Sequence, residues 1–257
     1  MKCSRRRKLK VNIKTDGLVI REQFTGEADR VITVLTRDHG VIRAFANGAR
    51  SIKSKNLAAT QLLCYSDFNI YKSNKNVYSI AEANAKDVFF SLREDVVKLS
   101  LAQYFTEIAD ELAPREENAD EFLRLLLNSL FFLANNKKSP ALLKPTVELR
   151  MLSLSGYMPD LVGCCVCGKY ESETVFFSTD SGRIYCDTCK REERTMEITS
   201  SVLASVRHIC LSNLEKLFSF SISPETIELL GCVSEEYLRK TTCKKYKTLD
   251  FYKMMTQ

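Results

Sequence analysis

Four cysteines carry the clearest chemistry in this chain. Cys164 and Cys167 form one C-x2-C pair, and Cys186 and Cys189 form a second after 18 intervening residues. Each pair can bend into a tight turn whose two sulfurs point the same way. Two such turns brought together offer four thiolates at the corners of a tetrahedron, the geometry Zn²⁺ takes in closed structural sites. Cys165 would pair with Cys167 only as C-x-C, so Cys164 is the expected ligand. The intervening segment is suited to joining the turns. Val175-Phe176-Phe177-Ser178 and Arg183-Ile184-Tyr185 read as strands around the turn Asp180-Ser181-Gly182. Gly168 frees the backbone beside the first pair. The expectation is one structural Zn²⁺ on Cys164, Cys167, Cys186 and Cys189. A redox C-x-x-C fits less well, because neither pair sits between the strand and helix of a βαβ unit. Unligated core cysteines or disulfides are the other alternative. A catalytic zinc would keep an open position, usually beside His or carboxylate ligands, and both histidines, His39 and His208, lie outside the cluster.

Catalytic motifs are missing. There is no G-x-x-x-x-G-K loop and no G-x-S-x-G elbow, and two histidines leave little general-base chemistry. Carboxylate pairs such as Glu116-Glu117 and Glu235-Glu236 read as solvated charge. The pattern favours a binding protein over an enzyme.

The charge is the second signal. Residues 1–86 hold 17 Lys and Arg against 7 Asp and Glu, a net of +10, whereas residues 87–257 hold 21 against 25, a net of −4. A basic first third suits a polyanion. Six of those cations lie in the tail Lys2, Arg5, Arg6, Arg7, Lys8 and Lys10, so residues 11–86 carry only 11 against 7, a net of +4.

Around these residues the hydrophobic pattern lays out an α+β chain. Residues 1–12, charged and with little to bury, read as a basic disordered tail. From Ile13 to Ala85 about five β-rich runs occur without a long helix, with a hairpin connection at Thr36–Gly40 and a turn at Ser73–Asn76. A small closed barrel removes the edges of so few strands, and an OB-type barrel is the expected form, with an SH3-like barrel as the alternative. After Ala85 the apolar period becomes helical, as in Val88, Leu92, Val96 and Leu99. Asn118 followed by Glu121 resembles a capping box, and Ser139-Pro140 and Ser223-Pro224 read as helix starts. A helical domain is therefore expected at 86–245, carrying a zinc ribbon inserted at 161–192, with a C-terminal tail at 246–257. No run approaches 18 apolar residues, and the basic N-terminus lacks an apolar signal region, so neither a membrane span nor secretion is expected. Ten cysteines, clustered in metal-type pairs with the others scattered, suit a reducing cytosol.

Three stretches resemble the RecO family of bacterial recombination and repair mediators. The first is Gly26-Glu27-Ala28-Asp29-Arg30 running into Val31–Thr36. The second is Gly40, then Ala46-Asn47-Gly48-Ala49-Arg50 and on to Lys53-Ser54. The third is Leu161-Val162-Gly163-Cys164 to Gly168, followed by Phe177-Ser178, Gly182 and Cys186–Cys189. Their order and spacing cover most of residues 13–245. The resemblance implies an OB fold, a helical domain and a zinc module. It also implies binding of single- and double-stranded DNA, annealing of complementary strands, and help in loading recombinase onto strands coated by single-strand-binding protein. Its implied partners are RecR and the acidic C-terminal tail of that coating protein, and its implied location is the cytoplasm, at the nucleoid. The competing reading is a zinc-containing adaptor or transcription-related protein whose barrel contacts RNA or protein.

For DNA, the expected contacts are Arg30, Arg37, Arg43, Arg50, Lys53 and Lys55. Arg37 and Arg43 flank the hairpin, and the other loop cations lie among serines that can donate to phosphate. Phe24, Phe45, Tyr65, Tyr71 and Tyr78 are the aromatics available to stack on bases. An acidic tail with an apolar end needs a greasy pocket rimmed by cations, and Arg124 and Arg150 stand out in the net-acidic helical domain.

Overall fold

A computed structural model describes residues 11–170, 172, 174–190 and 195–256. The basic tail expected at the N-terminus falls, up to residue 10, outside the described residues. Val11 and Asn12 are already strand, paired with Lys72 and Tyr71. The chain divides into two compact units. One runs up to Glu94 and includes Ala109–Leu123; the other comprises Asp95–Ile108 and everything from Arg124 on.

The first unit is a five-stranded barrel. Its strands are β1 (Val11–Thr25), β2 (Asp29–Thr36), β3 (Gly40–Ala46), β4 (Tyr65–Lys72) and β5 (Tyr78–Asp87). They close in the order β1-β2-β3-β5-β4. β1 is long enough to pair with both β2 and β4, and a register shift between Val19 and Arg21 bends it from one partner to the other. The parallel pairing of β3 with β5, Ala44 opposite Tyr78, completes the OB-type arrangement. Alternation sets which side faces in. Along β3, Ile42, Ala44 and Ala46 are buried, whereas Arg43 and Phe45 are exposed. The interior is filled by Val19, Ile32, Val34, Ile42, Phe68, Ile70 and Ile80.

The barrel unit reaches beyond the expected boundary at residue 85. Residues 109–123, expected in the helical domain, are bonded along the β2–β3 hairpin. Val41 N–H donates to Pro114 O (2.9 Å), Glu116 N–H to His39 O (3.1 Å), and Ala119 N–H to Arg37 O (2.8 Å). Glycine is required at position 40, where φ is +61° and a Cβ would collide with the Pro114 carbonyl.

The second unit is helical. The chain's helices are α1 (Val96–Leu112), α2 (Asp120–Ala134), α3 (Pro140–Leu154), α4 (Ser200–Leu211), α5 (Pro224–Thr242) and α6 (Lys247–Thr256). Hydroxyl caps start three of them: Ser139 accepts from Leu142 N–H, Thr199 from Val202 N–H, and Ser223 from Thr226 N–H. Its core holds a buried ionic network. Fully buried Glu148 accepts from Tyr104 Oη (2.6 Å) and Ser234 Oγ (2.5 Å) and faces Lys144 Nζ at 2.9 Å. Lys144 also reaches Glu235 at 3.0 Å. Burial opposes the charge on Lys144, yet the two carboxylates raise its pKa above the ordinary lysine value.

The C-terminal segment is a helix and not a tail. Tyr246, Leu249 and Tyr252 recur at a spacing of three and are all buried, and Thr248 Oγ1 donates to Glu107 at 2.5 Å. Between α3 and α4 the chain forms a small sheet of β6 (Val175–Ser178), β7 (Arg183–Cys186) and β8 (Thr195–Ile198), in the order β7-β6-β8. β8 lies past the expected end of the ribbon at residue 192 and covers the far edge of β6. Among the described residues no helix is long and apolar enough to cross a membrane.

Candidate metal centre and nucleic-acid interface

The ribbon brings its four paired cysteines together. The sulfurs of Cys164, Cys167, Cys186 and Cys189 all lie within 4.8 Å of one another, with Cys167 and Cys186 at 3.7 Å. A tetrahedron with metal–sulfur bonds of ~2.3 Å has edges of about 3.8 Å, so this spacing suits one ion. The turns are built by the backbone: Cys164 N–H donates to Lys169 O (2.9 Å) and Gly168 N–H to Cys164 O (2.8 Å), with Gly168 at φ +74°. Cys165 N–H instead donates across to Ile184 O (2.9 Å), and Cys165 is exposed and stands outside the four-sulfur cluster. Burial opposes ionisation of Cys164, but N–H groups of Cys167, Cys186 and Val166 aim at its sulfur and bring it down to about 6. Hydrogen bonds with the Cys167 and Cys186 thiols, and burial, push Cys189 up to about 12. Four clustered sulfurs thus resist full ionisation, and a dication is the natural remedy. All described cysteines are free, so no disulfide competes for these sulfurs. The ribbon is seated on α5, where the buried Phe177 ring meets Tyr237 edge-on at 5.4 Å.

On the barrel, the six expected DNA contacts separate into two classes. Arg43, Arg50, Lys53 and Lys55 are exposed, and no carboxylate among the described residues pairs with them. Pairing places Arg21, Thr33 and Arg43 in one cross-strand row and Gln23, Val31 and Phe45 in the next. Arg43 Nη2 donates to Gln23 Oε1 across this face (3.1 Å). Phe45 is 43% exposed on this face, and Phe24, on the alternate side of β1 opposite Arg30, is 62% exposed. Arg50 lies over the Phe24 ring, 4.4 Å from its centre. Arg21 and Gln23 complete the face and were not singled out by the sequence. The strand alternation that exposes Arg43 and Phe45 points to them only once the register is known.

Arg30 and Arg37 belong to the fold. Arg30 is only 6% exposed; its Nη1 donates to Leu57 O (3.2 Å) and Thr60 Oγ1 (3.3 Å) and lies 3.6 Å from Glu22. It ties the loop after β3 to β2. Arg37 makes a two-pronged pair with Asp16, Nε to Oδ1 at 2.8 Å and Nη2 to Oδ2 at 2.7 Å, and its Nη1 also meets Asp120. Tyr65 Oη donates to the same Asp16 carboxylate. The guanidinium beside it holds the Asp16 carboxyl down at about 2, against the opposing effect of burial, and Asp16 raises Arg37 in turn. A phosphate would have to compete with carboxylates for either arginine. Of the other named aromatics, Tyr71 is 39% exposed, and Tyr65 and Tyr78 are half-buried.

The two partner candidates also divide. Arg124 is exposed on α2. Arg150 Nη1 donates to Cys210 O at 2.7 Å and Ile209 O at 3.4 Å, so it caps the last turn of α4. An apolar hollow with a cation lies elsewhere. A cavity of about 410 Å³ is lined by Met158, Leu161, Val162, Tyr170, Leu211 and Arg207. Its floor binds the arginine, since Arg207 Nε and Nη2 donate to Leu161 O (2.9 and 2.6 Å) and its guanidinium lies 4.8 Å from the centre of the Tyr170 ring. Arg207 was missed because Leu161, Val162, Tyr170 and Leu211 converge on it only through the placement of the ribbon against α4.

Comparison with known proteins follows the same division of the chain. Residues 10–89 match the model for the N-terminal part of Recombination protein O, and residues 93–250 match the model for its C-terminal part. A DNA repair protein RecO of Acetivibrio thermocellus is 34% identical over 244 residues, covering 95% of this chain and 97% of that protein. Proteins of the same name from Caldicellulosiruptor bescii (32% identity, 95% of this chain and 98% of the relative) and Clostridium novyi (28%, 93% of each) are similar over almost their whole length. The barrel, the helical unit and the four-cysteine ribbon therefore stand in a chain that belongs to the RecO family.

Proposed function

We propose that this chain is a non-enzymatic DNA-binding protein of recombinational repair that binds single and double strands and anneals complementary ones. It then helps recombinase load onto strands coated by single-strand-binding protein. The observation that carries the reading is the exposed basic and aromatic surface of the barrel: Arg43 and Phe45 on one face of β3, Arg50 over Phe24, and exposed Lys53 and Lys55 in the segment that follows. The relatives' name, DNA repair protein, supports it. The mechanism is electrostatic. Two strands repel through their phosphates, and cations on flexible stems neutralise part of that charge at the point where the strands meet. Contacts made to the backbone leave the pairing edges of the bases free, so a bound strand remains competent to find its complement.

The ion held by Cys164, Cys167, Cys186 and Cys189 is Zn²⁺ in this reading. Four thiolates leave it no open position, so its contribution is to hold the ribbon folded. Partners are RecR and the acidic tail of the single-strand-binding protein. The hollow around Arg207 offers that tail an apolar floor beside a cation, and Arg150 stands as a further candidate contact. Arg124 remains a proposed contact on a separate helix. The chain acts in the cytoplasm, at the nucleoid.

The test mixes purified protein with two complementary oligonucleotides and follows duplex formation by strand-specific fluorescence. Duplex formation faster than the spontaneous rate is the expected result. No acceleration, with binding confined to folded RNA, would replace this reading with that of an RNA-contacting adaptor.

A further inference from the structure

We infer that Phe24 is a stacking platform for an unpaired nucleobase, with Arg50 as its cationic companion. The inference rests on the reading of the barrel as a nucleic-acid surface and adds which residue distinguishes single strands from duplex.

Phe24 sits near the end of β1, opposite Arg30. Its ring is 62% exposed even though the Arg50 guanidinium stands 4.4 Å from its centre and that of Arg30 stands 5.8 Å away. An exposed ring of this size loses the benefit of burial, so a surface that presents one beside cations is suited to a ligand with a flat face. The arrangement is held by the backbone. Arg50 N–H donates to Ala28 O at 2.9 Å, its Nη1 to Gly26 O at 3.4 Å, and Gly48 N–H to Asp29 Oδ1 at 2.6 Å. The segment after β3 is thereby fixed to the β1–β2 connection, and Arg50 is held at the aromatic ring. From there the chain continues through exposed Lys53 and Lys55 to Leu57 and Thr60, which buried Arg30 anchors.

A flat hydrocarbon face with the Arg50 guanidinium over it, and exposed Lys53 and Lys55 in the same segment of chain, matches one unit of a single strand: a base to stack and phosphates for the cations. Stacking of this kind tolerates any base, because every base has a π-face. A duplex keeps its bases stacked on one another and presents mainly phosphates and groove edges. Phe24 should therefore contribute to single-strand affinity and not to duplex affinity, while the cations serve both.

The chain contains no tryptophan, so Phe24→Trp introduces a single indole at the proposed platform. The full-length variant is titrated with oligothymidylate and, separately, with a blunt duplex of equal length. Indole emission and the anisotropy of a labelled strand are read together. The expected result is wild-type affinity, quenching by the single strand, and no quenching by the duplex. Phe24→Ala and Phe24→Leu should each lose about 5- to 150-fold in single-strand affinity with an unchanged salt slope and unchanged duplex binding. Phe24→Leu keeps apolar bulk without the ring and so separates stacking from packing. Saturation by oligothymidylate with no change in indole emission would overturn the inference and leave the barrel reading standing. Equal losses for single strand and duplex would overturn it too, because Phe24 would then act by positioning Arg50. If wild type binds neither nucleic acid, the barrel reading fails and this inference fails with it.

Discussion

Arg37→Ala should destabilise the barrel and leave DNA binding intact. By residue type Arg37 looks like a phosphate contact, but its guanidinium is shared between Asp16 and Asp120. The Asp16 carboxyl falls from 3.8 to about 2, a preference for the charged form of about 2 kcal/mol at 1.36 kcal/mol per pH unit. Arg37 is 35% exposed, so water screens part of this, leaving about 1–2 kcal/mol. The pair with Asp120 adds up to about 1 kcal/mol. A total of about 1–3 kcal/mol corresponds to a fall of roughly 5–15 °C in the barrel's melting temperature. The effect has a pH signature. Because Asp16 is depressed on folding, its stabilisation is fully present above its unfolded value of 3.8 and is lost as pH falls through about 2. The gap between wild type and variant should be constant near neutrality and close between pH 4 and 2. Denaturant titrations across that range, paired with oligonucleotide binding at pH 7, read both parts. A variant as stable as wild type, or one that loses DNA affinity while keeping its stability, would refute the reasoning.

Two further outcomes follow from the helical unit. Cys186→Ser should lose bound metal and unfold the ribbon, since metal binding and folding share one free energy in such modules; metal analysis of protein purified in reducing buffer should find one zinc in wild type. Glu148→Gln leaves Lys144 facing Glu235 alone in the core and should cost about 3 kcal/mol, measured by denaturant unfolding, with strand annealing unchanged under folding conditions.

The metal cluster and the barrel were legible in the sequence because both rest on local rules. C-x2-C spacing determines where two sulfurs can point, and apolar alternation determines which side of a strand is buried. The role of each cation was not legible. Arg30 and Arg50 lie in the same basic stretch, yet the first is held by Leu57 and Thr60 and the second stands over Phe24. Arg37 is spoken for by Asp120, 83 residues away in sequence. Such pairings come from tertiary placement, which charge type does not encode. The carbonyls that Arg150 caps were hidden for the same reason: they belong to α4, about 60 residues further on. The helix α6 lies where the family resemblance stops. The segment reads as a tail because it matches nothing in the family resemblance, although Tyr246, Leu249 and Tyr252 already carry a helical period.

The central claim is that DNA is held on the barrel through Arg50, Lys53 and Lys55. Its most direct test is a salt titration of single-strand binding by wild type and by the Arg50→Ala, Lys53→Ala, Lys55→Ala triple variant. Each cation that contacts a phosphate contributes about 0.7 to the log–log salt slope on a single strand, so the triple variant should show a slope shallower by about 2 and weaker binding at low salt. An unchanged slope and affinity would contradict the account and move the DNA to another surface, such as the basic stretch from Lys2 to Lys10.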